Sequence, residues 1–164
     1  MSAAHIHPIF VHFTVALFVV ASLCLLSTQW ISDKKIHSVV HTAGLVNLAI
    51  GAVITLITVI TGWIAYHTLY LEGEAAQALH QHMIWAMVTM AAYLFITLMM
   101  ISRIPYGLTL PKWLYPAIVA ALGILSITAF KGGELVFHYG MSVDAVPVLE
   151  RTESSEPNDH ASHH

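Results

Sequence analysis

Four long apolar segments, separated by short polar breaks, make up most of this chain. A helix needs roughly 20 predominantly apolar residues to cross a bilayer, and each segment reaches about that length. Pro8, at the start of the first segment, suits a first helical turn, where a missing backbone N–H costs nothing. The pattern predicts membrane-spanning helices over about residues 8–30, 36–67, 82–102 and 113–131.

The breaks between these segments contain charged and turn-forming residues, at 32–35, 72–74 and 104–112. Connections this short make neighbouring helices run in opposite directions. We therefore predict an all-α fold, an integral membrane protein built as an antiparallel four-helix transmembrane bundle over residues 1–141. Residues 142–164 turn polar, and their composition predicts a flexible extracytoplasmic tail.

Basic residues collect at one end of the predicted bundle. Four of the six Lys and Arg residues fall in the first and third breaks, namely Lys34, Lys35, Arg103 and Lys112. The opposite end carries Glu72, Glu74 and Glu134. By the positive-inside rule the two basic breaks are cytoplasmic. We therefore expect both termini to be extracytoplasmic, in a protein of a bacterial inner membrane.

Composition supports a membrane location and argues against several other classes of protein. Of the 164 residues, 57% are hydrophobic and only 9% are charged, and the mean hydropathy is +0.74. The six Lys and Arg residues provide no basic surface for nucleic acid. The single cysteine, Cys24, excludes a disulfide framework and a cysteine metal knuckle. Membrane lipid is the first partner that we expect.

Twelve histidines stand out against this apolar background. An imidazole near lipid must be paired, line a wet cavity or bind a ligand. In the predicted topology the extracytoplasmic helix ends carry His5, His7, His12, His67, His80, His82 and His138. The cytoplasmic end has His37 and His41, and the tail has His160, His163 and His164. Every predicted helix thus contributes an imidazole to one end of the bundle.

Imidazoles from several helices point to haem as a candidate cofactor. Haem iron is commonly held by one or two axial histidines, and b-type haem needs no Cys-x-x-Cys-His motif, which this chain lacks. His12 lies more than one turn inside the first segment, so we predict it as a ligand rather than a core histidine bonded to a carbonyl. His82 lies at the start of the third segment, and we predict it as the second axial ligand beside His12, with His80 as the alternative. The full predicted cofactor-binding set is His7, His12, His67, His82 and His138.

Two further patterns have both a structural and a chemical interpretation. Three glycines share one face of the second segment, namely Gly44, Gly51 and Gly62. They would admit either the edge of a flat ring or a closely packed neighbouring helix, and we favour the packing seam. Three methionines share a face of the third segment, namely Met83, Met87 and Met90. They would suit copper beside the histidines, although core packing is the commoner use of such a stripe.

The two ends of the apolar region resemble a known family. Residues 7–13 read His-Pro-Ile-Phe-Val-His-Phe, which is similar to the His-Pro-x-x-Val-His-Phe opening of domain-of-unknown-function family 2231, a family of small predicted membrane proteins. Residues 132–140 resemble its Gly-Gly-x-Leu-Val ending with a following His and Gly, although Tyr139 intervenes before Gly140. Thr61-Gly62 and the histidine before the third segment fit the same outline, and the resemblance covers about residues 5–143.

This resemblance implies a four-helix membrane domain that occurs alone or beside redox modules such as Rieske or c-type cytochrome domains. Together with the histidines it favours a membrane b-type cytochrome subunit, holding one or two haems near the extracytoplasmic face. Such a subunit would exchange electrons with a c-type cytochrome, quinone or a partner subunit, rather than act as a stand-alone catalyst. The alternatives are a membrane protein that binds copper or zinc, and a structural subunit of a membrane redox complex.

Overall fold

The protein is all-α throughout the residues that its computed structural model describes, which are 3–68, 71–103 and 111–141. Four α-helices follow one another: α1 (Ala3–Ser27), α2 (Lys34–Thr68), α3 (Gly73–Ile101) and α4 (Leu114–Phe137). A short 3-10 turn, Thr28–Trp30, continues α1. Each helix is long and apolar enough to cross a membrane. The predicted all-α fold of four transmembrane helices is confirmed, and the predicted tail at 142–164 lies outside the described residues.

The helix boundaries agree with the apolar pattern at α2 and differ from it at α1, α3 and α4. The α1 helix begins at Ala3 instead of the predicted residue 8, so Pro8 lies inside the helix and the prediction that it stands in the first turn is wrong. The α3 helix begins at Gly73 instead of the predicted residue 82, with Glu72 as its N-cap residue. The polar stretch that follows is rich in Ala, Glu, Gln and Leu, which favour helix even where they do not favour lipid. His80 and His82 consequently lie inside α3 instead of at its start, and α4 likewise continues past the predicted residue 131 to Phe137.

The first predicted break contains a defined helix cap. Asp33 Oδ1 accepts hydrogen bonds from the backbone N–H of Lys35 at 2.8 Å and of Ile36 at 2.9 Å. A helix start leaves several N–H groups without intrahelical partners, and an aspartate at this position satisfies two of them. The cap fixes where α2 begins, immediately after the turn from α1.

The first two helices form a closely packed hairpin. A Cβ atom added at Gly44 would lie 2.9 Å from Leu25 Cδ2, and one added at Gly51 would lie 2.8 Å from Phe18 Cε1. The end of α1 therefore meets the start of α2, so the two helices run in opposite directions. The glycine stripe predicted from the sequence is the packing seam of this hairpin, because side chains of α1 occupy the space beside the glycines.

The other two helices form a second hairpin that packs against the first. Within it, Thr89 Oγ1 lies 2.7 Å from Thr128 Oγ1 in a hydrogen bond. Between the hairpins, the rings of Phe18 and Tyr93 stack with centroids 3.9 Å apart and planes 7° apart. Both rings are fully buried, and they join the central hydrophobic cluster to which all four helices contribute. The open ends of the hairpins, away from the turns that join α1 to α2 and α3 to α4, carry most of the histidines among the described residues.

Candidate functional site

His7 is anchored between α1 and α2 by its own hairpin. Its Nδ1 lies 3.1 Å from the carbonyl oxygen of Thr58 and 3.2 Å from Thr61 Oγ1. A carbonyl oxygen can only accept, so Nδ1 carries the proton and donates it. The lone pair of the imidazole is then on Nε2. The half-buried ring is therefore fixed in the tautomer whose Nε2 is free to bind a metal.

Gly62 provides the space for this imidazole. A Cβ atom at Gly62 would lie 2.8 Å from His7 Cε1, closer than real Cβ contacts. One turn below, Thr14 Oγ1 and Thr58 Oγ1 lie 2.9 Å apart in a hydrogen bond between the same two helices. The position of His7 thus follows from a glycine that admits the ring and from threonines that hold the hairpin beneath it.

His82 occupies a similar position in the second hairpin. Its ring packs on α4, where a Cβ atom added at Gly132 would lie 3.1 Å from His82 Cε1. The backbone of Thr128 lies beside this ring. Its Nδ1 is nevertheless buried without a hydrogen-bond partner of acceptable geometry among the described residues. An unsatisfied buried polar atom costs about 1–3 kcal/mol, which makes His82 the less well accommodated of the two imidazoles.

Two half-buried histidines, His7 and His82, lie on the inner side of their hairpins. His82 lies in the neighbourhood of His7. They come from different hairpins and lie at the same end of the bundle. Within residues 3–68, 71–103 and 111–141, no group of three or more His, Cys, Asp or Glu side chains is arranged to hold a metal ion. His7 and His82 are therefore the candidate residues from which a site at this end could be built.

His12, predicted from the sequence as the partner of His82, has a different environment. Its side chain is exposed, and its Nδ1 lies 2.6 Å from the carbonyl oxygen of Pro8 in its own helix. The depth of a residue along a helix does not determine which way it faces. The rotation of α1 is determined by the side chains that enter the glycine seam of α2, and this rotation turns His7 inward and His12 outward.

The other predicted ligands lie exposed at the same end of the bundle. The His67 ring makes edge contacts with Trp63 and Tyr66, at centroid distances of 4.9 Å and 5.3 Å. The His138 ring makes an edge contact with the neighbouring Tyr139 at 5.0 Å. None of these contacts reaches the pair formed by His7 and His82.

His80 and His82 face different surroundings, as their spacing predicts. The exposed His80 has its Nδ1 3.4 Å from Tyr66 Oη, across the turn between α2 and α3. His82, two residues later, points towards α4 instead. The structure therefore turns His82 inward and leaves His80 exposed, and the prediction that His82 is a ligand stays a prediction.

The residues that support the two imidazoles were not among those predicted from the sequence. Thr58 and Thr128 were not singled out, and Gly132 entered only as part of a family motif. A signal for them is present, because Thr58-x-x-x-Gly62 in α2 recurs as Thr128-x-x-x-Gly132 in α4. At that spacing the threonine and the glycine lie one turn apart on one helix face. The same face of each helix receives a histidine from its hairpin partner.

The comparison with protein families gives one match. The sequence profile of a family described as predicted membrane protein (DUF2231) matches residues 3–145, which include all four helices. No curated protein and no solved structure matches the chain.

Proposed function

We propose that this chain, which belongs to the DUF2231 family of predicted membrane proteins, is a b-type cytochrome subunit. As an integral membrane protein with four spanning helices, it would bind haem b between its two hairpins. His7 and His82 would be the axial ligands. We place this site at the extracytoplasmic face, in a bacterial inner membrane with both termini outside.

The observation that carries this proposal is the hydrogen bond from His7 Nδ1 to the Thr58 carbonyl oxygen, at 3.1 Å. Metal-bound histidines almost always donate their second ring nitrogen to a carbonyl or carboxylate in this way, which fixes the tautomer and raises the basicity of the ligand. The backbone of Thr128 lies beside His82, as that of Thr58 lies beside His7. The geometry between the Thr128 backbone and His82 Nδ1 does not meet that of a hydrogen bond. Binding of haem iron through Nε2 would account for the half-buried positions of both rings.

A pair of imidazoles suits haem better than it suits zinc. The macrocycle fills four positions around the iron, so the protein has to supply only two axial ligands. A zinc site needs three or four ligands from the protein. His7 therefore replaces His12 as the partner of His82 in the proposed pair, because His12 is exposed and bonded to its own helix.

A haem bound here would supply a one-electron redox couple. The two hairpins would hold it in place, and the basicity that the Thr58 carbonyl gives to His7 would stabilise the oxidised state. Two axial imidazoles leave no open position on the iron, which suits electron transfer rather than oxygen chemistry. A c-type cytochrome, quinone or a partner subunit is the proposed electron donor or acceptor.

An optical spectrum tests the proposal directly. The protein, expressed with haem available and purified in detergent, should show a reduced-minus-oxidised b-type difference spectrum and the pyridine haemochrome of haem b. A colourless protein under these conditions would overturn it. Elemental analysis of the same sample identifies the alternative, because stoichiometric copper or zinc without a Soret band would indicate a metal-handling protein.

A further inference from the structure

The sequences of α1 and α3 align without gaps at a constant shift, from His7 onto His82. Residues 7–18 read His-x-Ile-Phe-x-x-x-Thr-x-Ala-x-Phe, and residues 82–93 read His-x-Ile-Trp-x-x-x-Thr-x-Ala-x-Tyr. After the histidine, identical residues at three positions and aromatic residues at two more follow in the same order. The packing of apolar helices requires neither of the two shared polar residues in this pattern, the histidine and the threonine.

The sequences of α2 and α4 repeat in the same manner. Residues 54–62 and 124–132 share the pattern Ile-x-x-Ile-Thr-x-x-x-Gly, which ends at Gly62 and at Gly132. These are the two glycines against which His7 and His82 pack. Both helices of the second hairpin therefore reproduce the sequence features of the first.

Burial follows the repeat along the full length of the helices. Buried positions of α1 are Thr14, Phe18, Ala21, Ser22 and Leu25, and those of α3 are Thr89, Tyr93, Ile96, Thr97 and Met100. Every member of the second set lies at the equivalent position of the first. The buried sets of α2 and α4 agree likewise at Gly44, Leu48, Gly51, Thr55 and Ala65 against Leu114, Ile118, Ala121, Leu125 and Leu135.

The hydrogen bonds also recur in equivalent places. Thr14 and Thr58 are joined at 2.9 Å in one hairpin, and their equivalents Thr89 and Thr128 are joined at 2.7 Å in the other. Thr58 Oγ1 donates to the carbonyl of Ile54 at 2.9 Å, and Thr128 Oγ1 donates to that of Ile124 at 3.0 Å. The two hairpins thus share an internal structure as well as a sequence pattern.

Contacts between the hairpins show how they are related. Phe18 and Tyr93 occupy equivalent positions, and their rings stack on each other. A residue touches its own equivalent only near a two-fold axis, as in the interface of a symmetric dimer. Because both histidines lie at the same end of the bundle, α1 and α3 run in the same direction. The axis is therefore parallel to the helices and crosses the membrane.

We infer that the chain is a tandem repeat of one helical hairpin, and that His7 and His82 are equivalent residues which build one shared ligand site on the pseudo-two-fold axis. The site takes a ligand with two opposite coordination positions, which is the chemistry of a metalloporphyrin. The identity of that ligand rests on the proposed function, whereas the repeat and the shared site do not. With haem as the ligand, the inference predicts one haem per chain instead of two.

One position beside the two histidines differs between the repeats. Thr61, whose hydroxyl lies 3.2 Å from His7 Nδ1, is replaced at the equivalent position by Lys131. Lys131 pairs with Glu134 at 3.2 Å instead of supporting His82. The two equivalent imidazoles therefore differ in their hydrogen bonds, and His82 is the ligand that is held less firmly.

Cysteine cross-linking tests the shared site without any cofactor. In a Cys24→Ala background, His7→Cys with His82→Cys should be joined within one chain by a short bismaleimide. The matched control is His12→Cys with Met87→Cys, which are also equivalent positions but are exposed. The control pair should not react within a chain. Equal cross-linking of both pairs, or cross-links only between chains, would overturn the inference.

The number of haems bound per chain provides a second test. With one shared site, His7→Ala and His82→Ala should each remove the entire bis-imidazole spectrum, and the unsubstituted protein should hold one haem per chain. Loss of half the haem in each variant would mean two separate sites and would overturn the inference. If the unsubstituted protein binds no haem, the proposed function fails, while the cross-linking result still decides whether the two histidines share a site.

Discussion

The imidazole of His7 lies directly on Gly62, with His7 Cε1 only 2.8 Å from where a Cβ atom would stand. The equivalent contact between His82 and Gly132 is only slightly looser, at 3.1 Å. In each hairpin the histidine and the glycine come from different helices. The absence of a side chain on one helix therefore determines the position of a candidate ligand on the other.

Gly62→Ala should displace the His7 ring and lower haem affinity about 10- to 100-fold, the usual effect of disturbing the support of a metal ligand. Gly132→Ala should act in the same direction and more weakly, since the contact there is longer. Gly123→Ala is the matched control, because a Cβ atom at Gly123 meets nothing within 4 Å. Haem titration of the apoprotein measures all three. Unchanged affinity in Gly62→Ala would contradict the proposed role of His7.

Tyr93→Phe should destabilise the protein by about 0.5–1.5 kcal/mol, because it removes the hydrogen bond between Tyr93 Oη and Ser22 Oγ and keeps the ring stacked on Phe18. That bond is 2.9 Å long and buried between the hairpins. Reversible unfolding in mixed micelles measures the change. A double-mutant cycle with Ser22→Ala isolates the pair, and additive effects of the two substitutions would show that the hydroxyls do not interact.

Thr14→Val and Thr89→Val should weaken their hairpins by similar amounts, since each removes the hydroxyl that is hydrogen-bonded to a threonine of the partner helix. Hydrogen bonds between membrane helices contribute about 0.6 kcal/mol on average and up to about 1.7 kcal/mol. Ser126→Ala is the control, because that exposed hydroxyl bonds only to the Leu122 carbonyl of its own helix. Unfolding free energies compare the three. A large loss in one threonine variant and none in the other would count against the repeat.

Asp33→Ala should destabilise α2 by about 0.5–2 kcal/mol, the usual cost of losing an N-cap side chain. Two backbone N–H groups, those of Lys35 and Ile36, lose their acceptor. Asp33→Asn keeps an oxygen in the same place and should retain most of the stability. Unfolding free energy, read together with helical circular dichroism, distinguishes the two variants. Equal losses in both would mean that the charge matters and the cap geometry does not.

The sequence predicts the helices well, because each is an apolar run bounded by charged or turn-forming residues. It misses the start of α3, since residues 73–81 favour helix but are too polar to be recognised as part of a membrane span.

The direction in which a histidine side chain faces is harder to predict than the helix that carries it. His7 and His12 are only five residues apart, and the packing of α1 against the glycines of α2 decides which of them turns inward. That rotation depends on two helices at once, so the apolar pattern of α1 does not contain it. The repeated Thr-x-x-x-Gly motif does predict it, once each hairpin is considered as a pair of helices.

Substitutions of individual histidines distinguish the proposed axial pair, His7 and His82, from the pair predicted from the sequence, His12 and His82. His7→Gly should abolish the low-spin spectrum, whereas His12→Ala should retain it, because His12 is exposed and bonded to Pro8 of its own helix. Free imidazole added to His7→Gly should restore the spectrum, since the cavity left beside Gly62 admits the ring and the Thr58 carbonyl can still accept its N–H. Such rescue would not follow from a purely structural role, because imidazole cannot replace lost packing along the helix. Loss of the spectrum in His12→Ala, with retention in His7→Gly, would assign the ligand to His12.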